Sequence, residues 1–384
     1  MNKGLLFVAS VIAMIVAASL VVAQTPEGVE PGAWAKVEAQ LEGQGVETRA
    51  KAGRDVPVEV AKLLPTPDLV GDEARFGRAI AIDGDTMVVS AFDCPQGYYA
   101  EAAYIFQSDE GGADAWELVA KLTAVDVLAV PSFGWSVAIS GDSVVVGAQW
   151  DDDNGHRSGS AFIFGRNQGG ADKWGLVAKL TALDGATYDY FGKSVSISGD
   201  TVVVGAYEDD DNGFGSGSVY IFDRNQGGAG AWGQVAKVTA SDGASGDDFG
   251  ISVSISGETV VVGARYDDEN GSDSGTAYVF GRNQGGANAW GQVAKVTASD
   301  GAESDSFGNS VSISGGTVVV GAHGNDDYGS QSGSVYIFGR NHGGTDAWGQ
   351  VTKLTASDGA ENQYFGRAVS ISGDTVIVGA YGDG

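Results

Sequence analysis

The chain has 384 residues, 43% of them apolar, enough to bury a large core. Its 61 glycines against 7 prolines follow no three-residue period, which excludes collagen and calls for many tight turns between short strands. A formal net charge of −28 argues against nucleic acid or an anionic membrane surface as partner and leaves cations, basic ligands or plain solubility.

At the N-terminus, Met1-Asn2-Lys3-Gly4 precedes an uncharged apolar run from Leu5 to Ala23, and Val21 and Ala23 fit the small-residue positions before a signal-peptidase cut. Residues 1–23 read as a signal peptide. The alternative is an uncleaved anchor, because the 19-residue run is nearly long enough to span a bilayer. Either reading puts the rest of the chain outside the cell, secreted or cell-surface, with no other membrane insertion expected. Residues 24–57 read as a polar, partly disordered leader whose one helical candidate runs from Ala35 to Leu41. The single cysteine, Cys94, allows no intrachain disulfide, so packing alone must hold the fold.

From residue 58 to 384 the sequence repeats itself. Phe-Gly pairs begin at Phe76, Phe133, Phe191, Phe249, Phe307 and Phe365, spaced 57 residues once and 58 thereafter, and Trp116, Trp174, Trp232, Trp290 and Trp348 keep the same 58-residue phase. Within one copy, Phe249, Ile251, Val253 and Ile255 alternate with polar residues or glycine, the period of a strand with one buried face. Gly257-Glu258 is long enough only for a hairpin. Val260-Val261-Val262-Gly263-Ala264 is apolar without alternation, as in a strand covered on both faces; Thr276 to Phe280 is β-branched and aromatic; and a fourth run starts at Trp290. Four strands per repeat is the content of one propeller blade, so the expected fold is an all-β propeller of four-stranded blades. Six blade starts are visible. Val60-Ala61-Lys62-Leu63 resembles Val119-Ala120-Lys121-Leu122 and reads as a stray fourth strand. That strand suits a six-bladed propeller with a thin closing blade, but an end inside a loop at Gly382-Asp383-Gly384 favours a truncated seven-bladed one.

With Phe-Gly opening each unit and Val204-Gly205-Ala206 or Val262-Gly263-Ala264 closing its second strand, the chain resembles the FG-GAP repeat proteins, among them the seven-bladed propeller of integrin alpha subunits. The proline of that signature is replaced by Gln149, Tyr207, Arg265, His323 and Tyr381. The resemblance implies an extracellular propeller used in adhesion or ligand binding. The integrin calcium loop does not carry over, since the corresponding connection is only Ser198-Gly199-Asp200-Thr201 or Ser256-Gly257-Glu258-Thr259.

Acidic residues gather instead in the next loop, at Asp151-Asp152-Asp153-Asn154-Gly155, Asp209-Asp210-Asp211-Asn212-Gly213, Asp267-Asp268-Glu269-Asn270-Gly271 and the weaker Asn325-Asp326-Asp327; the first copy reads Asp93-Cys94-Pro95. Oxygen-rich clusters with a glycine turn suit a hard cation, which makes Asp151, Asp153, Asp209, Asp211, Asp267 and Glu269 candidate calcium ligands. The plainer reading is that Asn-Gly makes the turn and the aspartates solvate it. Blade topology puts this loop on one face with the connection to the next blade. There Glu208, Asp209, Asp210, Asp211, Asp242, Asp247 and Asp248 contribute seven carboxylates and no base, an acidic face for a protein or glycan partner. The repeating tryptophans read as blade packing before sugar stacking. His156, His323 and His342 fall at non-equivalent repeat positions and no nucleophile elbow, Walker loop or His/Cys spacing is present, so no catalysis is expected. A structural surface or matrix protein without ligand, and a polysaccharide-acting enzyme, are the alternatives to a binding propeller.

Overall fold

The structure, a computed structural model, describes residues 75–92, 102–108, 116–124 and 132–382. The expected signal peptide, polar leader and 60–63 strand, and Cys94, lie outside the described residues. Among the described residues every element is a strand. Blade 1 holds β1 (Arg75–Asp83), β2 (Thr86–Phe92), β3 (Ala102–Ser108) and β4 (Trp116–Leu122). Blade 2 holds β5 (Ser136–Ser140), β6 (Ser143–Ala148), β7 (Ser160–Gly165) and β8 (Gly175–Leu180), and blade 3 holds β9 (Ser194–Ser198), β10 (Thr201–Ala206), β11 (Ser218–Arg224) and β12 (Trp232–Val238). Blade 4 holds β13 (Phe249–Ser256), β14 (Thr259–Ala264), β15 (Thr276–Arg282) and β16 (Trp290–Val296), and blade 5 holds β17 (Phe307–Ser314), β18 (Thr317–Ala322), β19 (Ser334–Gly339) and β20 (Gly349–Leu354). Blade 6 contributes β21 (Ala368–Ser372) and β22 (Thr375–Gly379). The four-stranded blades are antiparallel meanders with strands adjacent in sequence order, the propeller blade that the repeat predicts. The chain forms two compact units, one with blades 1–3 and one with blades 4–6 and the 210–218 loop.

The non-alternating second strand is buried along its whole length because a blade packs on each side of it. In β14, Val261 joins Ala277, Val279 and Val296 in a core shared with Val311, Ile313, Val318 and Val320 of the following blade. In the first unit, Val145, Ala161, Ile163 and Leu180 of blade 2 meet Val195, Ile197, Val202 and Val204 of blade 3 in the same way. The signature phenylalanine closes each core. Phe307 is fully buried, with its ring edge-on to Tyr336 at 5.4 Å and to Phe338 at 5.8 Å.

Both motif glycines are explained by one contact. A Cβ on Gly263 would stand 1.9 Å from the carbonyl oxygen of Gly308, and one on Gly308 would stand 2.3 Å from that of Thr276. The Gly of the second strand therefore lies against the Phe-Gly corner of the next blade, backbone on backbone. Ser252 Oγ donates to that same Gly308 oxygen at 2.8 Å. Gly147, Gly192 and Ser136 repeat the arrangement in the first unit, with 2.1 Å from a Gly147 Cβ to the Gly192 oxygen and 2.9 Å for the serine bond. Just after the corner the pairing slips. Phe249 pairs with Ala264, but the next paired residue is Ser252, opposite Gly263, so Gly250 and Ile251 bulge out of the ladder.

The contact separates two kinds of glycine. Gly263→Ala forces backbone apart and is expected to cost more than about 2 kcal/mol. Gly257→Ala, in an exposed turn at φ 58° where an added β-carbon would meet nothing within 4 Å, costs about 1 kcal/mol of left-handed strain. Urea midpoints of the two variants measure the difference, and equal losses would remove the close-approach explanation.

Candidate functional site

The three acidic positions of each second loop do three different jobs. The first is buried and bonded inward. Asp151 accepts from Ser160 Oγ at 2.5 Å, Asp209 from Tyr220 OH at 2.8 Å, and Asp267 from Thr276 Oγ1 at 2.8 Å and Tyr278 OH at 2.7 Å. The second closes the loop, with Asp152, Asp210, Asp268 and Asp326 accepting the backbone N–H five residues on at 2.7, 2.8, 2.8 and 2.7 Å. The third pairs with a lysine: Asp153 with Lys179, Glu269 with Lys295 at 2.7 Å, and Asp327 with Lys353 at 2.5 Å. Asp211 stands exposed at the equivalent place in blade 3.

The lysine comes from the fourth strand of the same blade and also meets the first acidic position. Lys179 lies 2.7 Å from Asp151, Lys237 3.2 Å from Asp209, and Lys295 3.4 Å from Asp267. It then reaches the loop arriving from the preceding blade, where Lys237 meets Asp184 at 2.8 Å, Lys295 meets Asp242 at 2.7 Å, and Lys353 meets Asp300 at 2.7 Å. The two loops do share a face, but their carboxylates are not without a base. The lysine belongs to a strand, so a count restricted to loop residues misses it. Its signal is nonetheless in the sequence, as the in-phase lysine of Ala178-Lys179-Leu180, Ala236-Lys237-Val238 and Ala294-Lys295-Val296.

Of the candidate calcium ligands, Asp151, Asp153, Asp209, Asp267 and Glu269 lie against a lysine in this geometry, and Asp211 stands exposed. Calcium needs six to eight oxygens around one point, whereas here the point between the carboxylates of a blade is taken by an ammonium, and hydroxyls spend their protons on the same carboxylates. Among the described residues no group of three or more His, Cys, Asp and Glu side chains is placed to hold a metal ion. The electrostatics agree with the ammonium. Burial alone would lower the Lys295 pKa, but hydrogen bonds to Asp242 and Glu269 and the charge of Asp267 raise it above the ordinary lysine value. Burial would raise the Asp242 pKa, but bonds from Lys295 and Tyr278 hold it below the usual carboxylate range.

The repeating tryptophans are packing residues. Trp290 and Trp348 are buried, and the guanidiniums of Arg282 and Arg340 lie 4.9 and 5.1 Å above their rings.

A second cluster lies in the first unit and was not anticipated from the repeat. Trp135 and Trp150 sit 5.7 Å apart; Arg157 lies 5.5 Å from the Trp150 ring and bonds Tyr190 OH at 3.5 Å; and Tyr190 stacks on Tyr207 at 5.4 Å. Lys193 closes the ring of contacts, 5.2 Å from Tyr207 and 4.6 Å from Trp135. Exposed Arg78 covers Trp135 at 4.2 Å, and Tyr188, 49% exposed, stands edge-on to His156 at 5.3 Å.

These residues come from the slots where the copies disagree. Arg78, Trp135, Lys193, Ile251, Asn309 and Arg367 follow Phe-Gly in the bulge, and Gln149, Tyr207, Arg265, His323 and Tyr381 follow Gly-Ala. Ser132, Tyr190, Asp248, Ser306 and Tyr364 precede the phenylalanine, all left-handed, with φ between 54° and 64°. Tyr188 and Arg157 are left-handed too, at 72° and 56°, in slots that hold Gly246 and Gly215 in the next copy and, equally left-handed, Ser304 and Asn362 or Asp273 and Gln331 in the later ones. Each such side chain costs about 1 kcal/mol that glycine would not, and strain of this kind gathers at ligand sites.

In the second unit the same slots form a different group, with His323 3.2 Å from Arg367 and its ring 6.2 Å from that of Tyr364. Burial first, and then the charges of Arg367 and Arg265, push the His323 pKa down from 6.5 to about 4.

Two outcomes follow. The melting temperature should be the same in calcium, magnesium or chelator, while Lys295→Met, which leaves three carboxylates facing each other, should be less stable by about 2 kcal/mol after allowing for their partial exposure. A rise specific to calcium in the unaltered protein would show that the ammonium yields its place. Between pH 6.5 and 4 the unfolded chain binds a proton at His323 that the folded chain refuses, so stability should fall as pH drops through this window. His323→Asn should flatten that part of the melting-temperature profile.

No curated protein matches the sequence. The fold is similar to that of Chaetomium thermophilum Sqt1, solved bound to the N-terminus of a ribosomal protein, at TM-score 0.43 and 14% identity over 74% of this chain and 64% of that one. It is also similar to a hypothetical selenium-binding protein from Sulfolobus tokodaii, at TM-score 0.47 and 9% identity over 77% of this chain and 67% of that one. The FG-GAP repeat model matches six times, at residues 57–106, 116–164, 174–222, 232–280, 290–338 and 348–384. Six in-phase matches over nearly the whole repeat region, on blades whose Phe-Gly and Gly-Ala corners interlock, make this chain a member of the FG-GAP repeat family.

Proposed function

We propose that the chain is an extracellular binding or adhesion propeller whose ligand site is the aromatic and cationic surface formed by Arg78, Trp135, Trp150, Tyr188, Lys193 and Tyr207. One observation carries this reading. Six copies that agree at their core positions disagree at a few slots, and in the first unit those slots converge on one surface. A purely structural repeat has no use for such a convergence of rings and cations. The reading does not run through calcium, since lysine neutralises the acidic loops. Export is supported by the N-terminal run of the sequence, and adhesion by the family. Binding is favoured over catalysis because this cluster holds cations and rings in mutual contact, with no carboxylate pair or nucleophile at its centre.

The other copies supply variants that fold in the same slots. Trp135→Ile, Lys193→Asn and Tyr207→Gln install residues found at 251, 309 and 149. The combined variant is expected to melt within a few degrees of the unaltered protein and to lose at least ten-fold in affinity for whatever the unaltered full chain retains from arrays of glycans and extracellular-matrix proteins. Undiminished retention by the variant would move the site elsewhere, and retention of nothing by either protein would favour the structural-matrix reading.

A further inference from the structure

We propose that the ligand of this surface is an acidic saccharide, one whose sugar units carry spaced carboxylates or sulfates; the inference rests on the binding reading above and names its ligand class. Three features of the cluster select this chemistry. The first is its rings. Trp135, Trp150, Tyr190 and Tyr207 are all half-buried, so each is held in place while part of it stays open to solvent. Indole and phenol rings offer apolar faces to the C–H side of a pyranose and a polar edge to its hydroxyls.

The second feature is charge. Arg78, Arg157 and Lys193 bring three cations into contact with those rings, at 4.2 Å from Trp135, 5.5 Å from Trp150 and 4.6 Å from Trp135. A neutral sugar needs none of them. A guanidinium over an aromatic face, as Arg78 is 4.2 Å from the Trp135 centroid, still has N–H donors to offer, and its fork matches a carboxylate or sulfate in a two-point bond. Arg157 is further held by the Tyr190 hydroxyl at 3.5 Å and by its left-handed backbone at φ 56°, so its position is set before any ligand arrives.

The third feature is the setting. The chain carries a net charge of −28, and Asp152 lies beside the cluster, 3.3 Å from His156. A dense polyanion such as nucleic acid would be repelled by this surround, while an anion with one charge per sugar meets the three cations and keeps its neutral hydroxyls toward the rim. The residues come from loops and from the bulge after Phe-Gly, which offer side chains and not a free strand edge, so recognition falls on rings and charges and not on the backbone pairing that an extended peptide uses.

Calorimetric titration of the full chain with three probes tests the inference: a hexamer of galacturonic acid, its methyl-esterified neutral counterpart and an oligo-glutamate peptide of similar charge. The acidic hexamer should bind at least ten-fold tighter than either of the other two, and more weakly as salt is raised. Arg78→Asn with Lys193→Asn should bring its affinity down to that of the neutral hexamer, and Trp135→Ile should weaken both sugars. Equal binding of both hexamers that Trp135→Ile abolishes would leave the binding surface standing and overturn the acidic ligand class. Binding of the peptide alone would do the same. Binding of the acidic hexamer that neither set of substitutions changes would overturn the surface and the ligand class together. Failure of all three probes, with array ligands still lost in the combined variant, would overturn the saccharide and leave the site.

Discussion

Within each unit, neighbouring blades meet through a backbone contact that only glycine permits. Gly263 against Gly308, and Gly147 against Gly192, leave no room for a β-carbon on either side. Much else follows from that approach. It sets the register between adjacent blades, so a phenylalanine one residue before the second glycine always lands in the core opened by the third strand of its own blade. It also forces the first strand to leave its ladder at the corner. The resulting bulge takes the residue after Phe-Gly out of the ladder pairing, so its identity is not fixed by a cross-strand partner.

The acidic composition has a structural counterpart. A net charge of −28 would strain a compact fold if the carboxylates faced one another unscreened. They do not, because each acidic loop and the loop beside it share a lysine from the fourth strand. The ammonium is a cation the chain carries covalently. Unlike a bound ion, it brings three directed donors and cannot be removed by dilution. The adjacent tyrosine hydroxyls of blades 3 to 5 complete the network. Near-identical repeats preserve this arrangement together with the glycine contact, and so the blades look uniform where stability is decided.

Function calls for the opposite, a place where the copies differ. The positions free to vary are those the corner releases: the bulge residue, the residue after Gly-Ala, and the left-handed residues before Phe-Gly. In the first unit they hold large aromatics and cations in mutual contact; in the second the same slots hold a half-buried histidine against Arg367 and Tyr364. A uniform scaffold thus presents dissimilar surfaces, each made from single residues of several repeats.

The fold was legible in the sequence because its cause is local and repeated. Alternation in Phe249 to Ile255, the unbroken apolar run of Val260 to Val262 and the two-residue turn at Gly257-Glu258 each specify a strand or hairpin through the nearest few residues, and a 58-residue period multiplies the signal. The sharing of one face by the second and fourth loops was also readable, since meander topology dictates it. What the sequence left open was which groups meet. Lys295 lies 26 residues from Glu269 and 53 from Asp242, so their pairing exists only once β16 is laid beside β15. Trp135, Lys193 and Tyr207 belong to two blades and look unremarkable one at a time. Periodicity records what each blade does for its neighbour; the contact of non-equivalent residues is a property of packing, and it was the packing that decided where charge is neutralised and where the rings and cations gather.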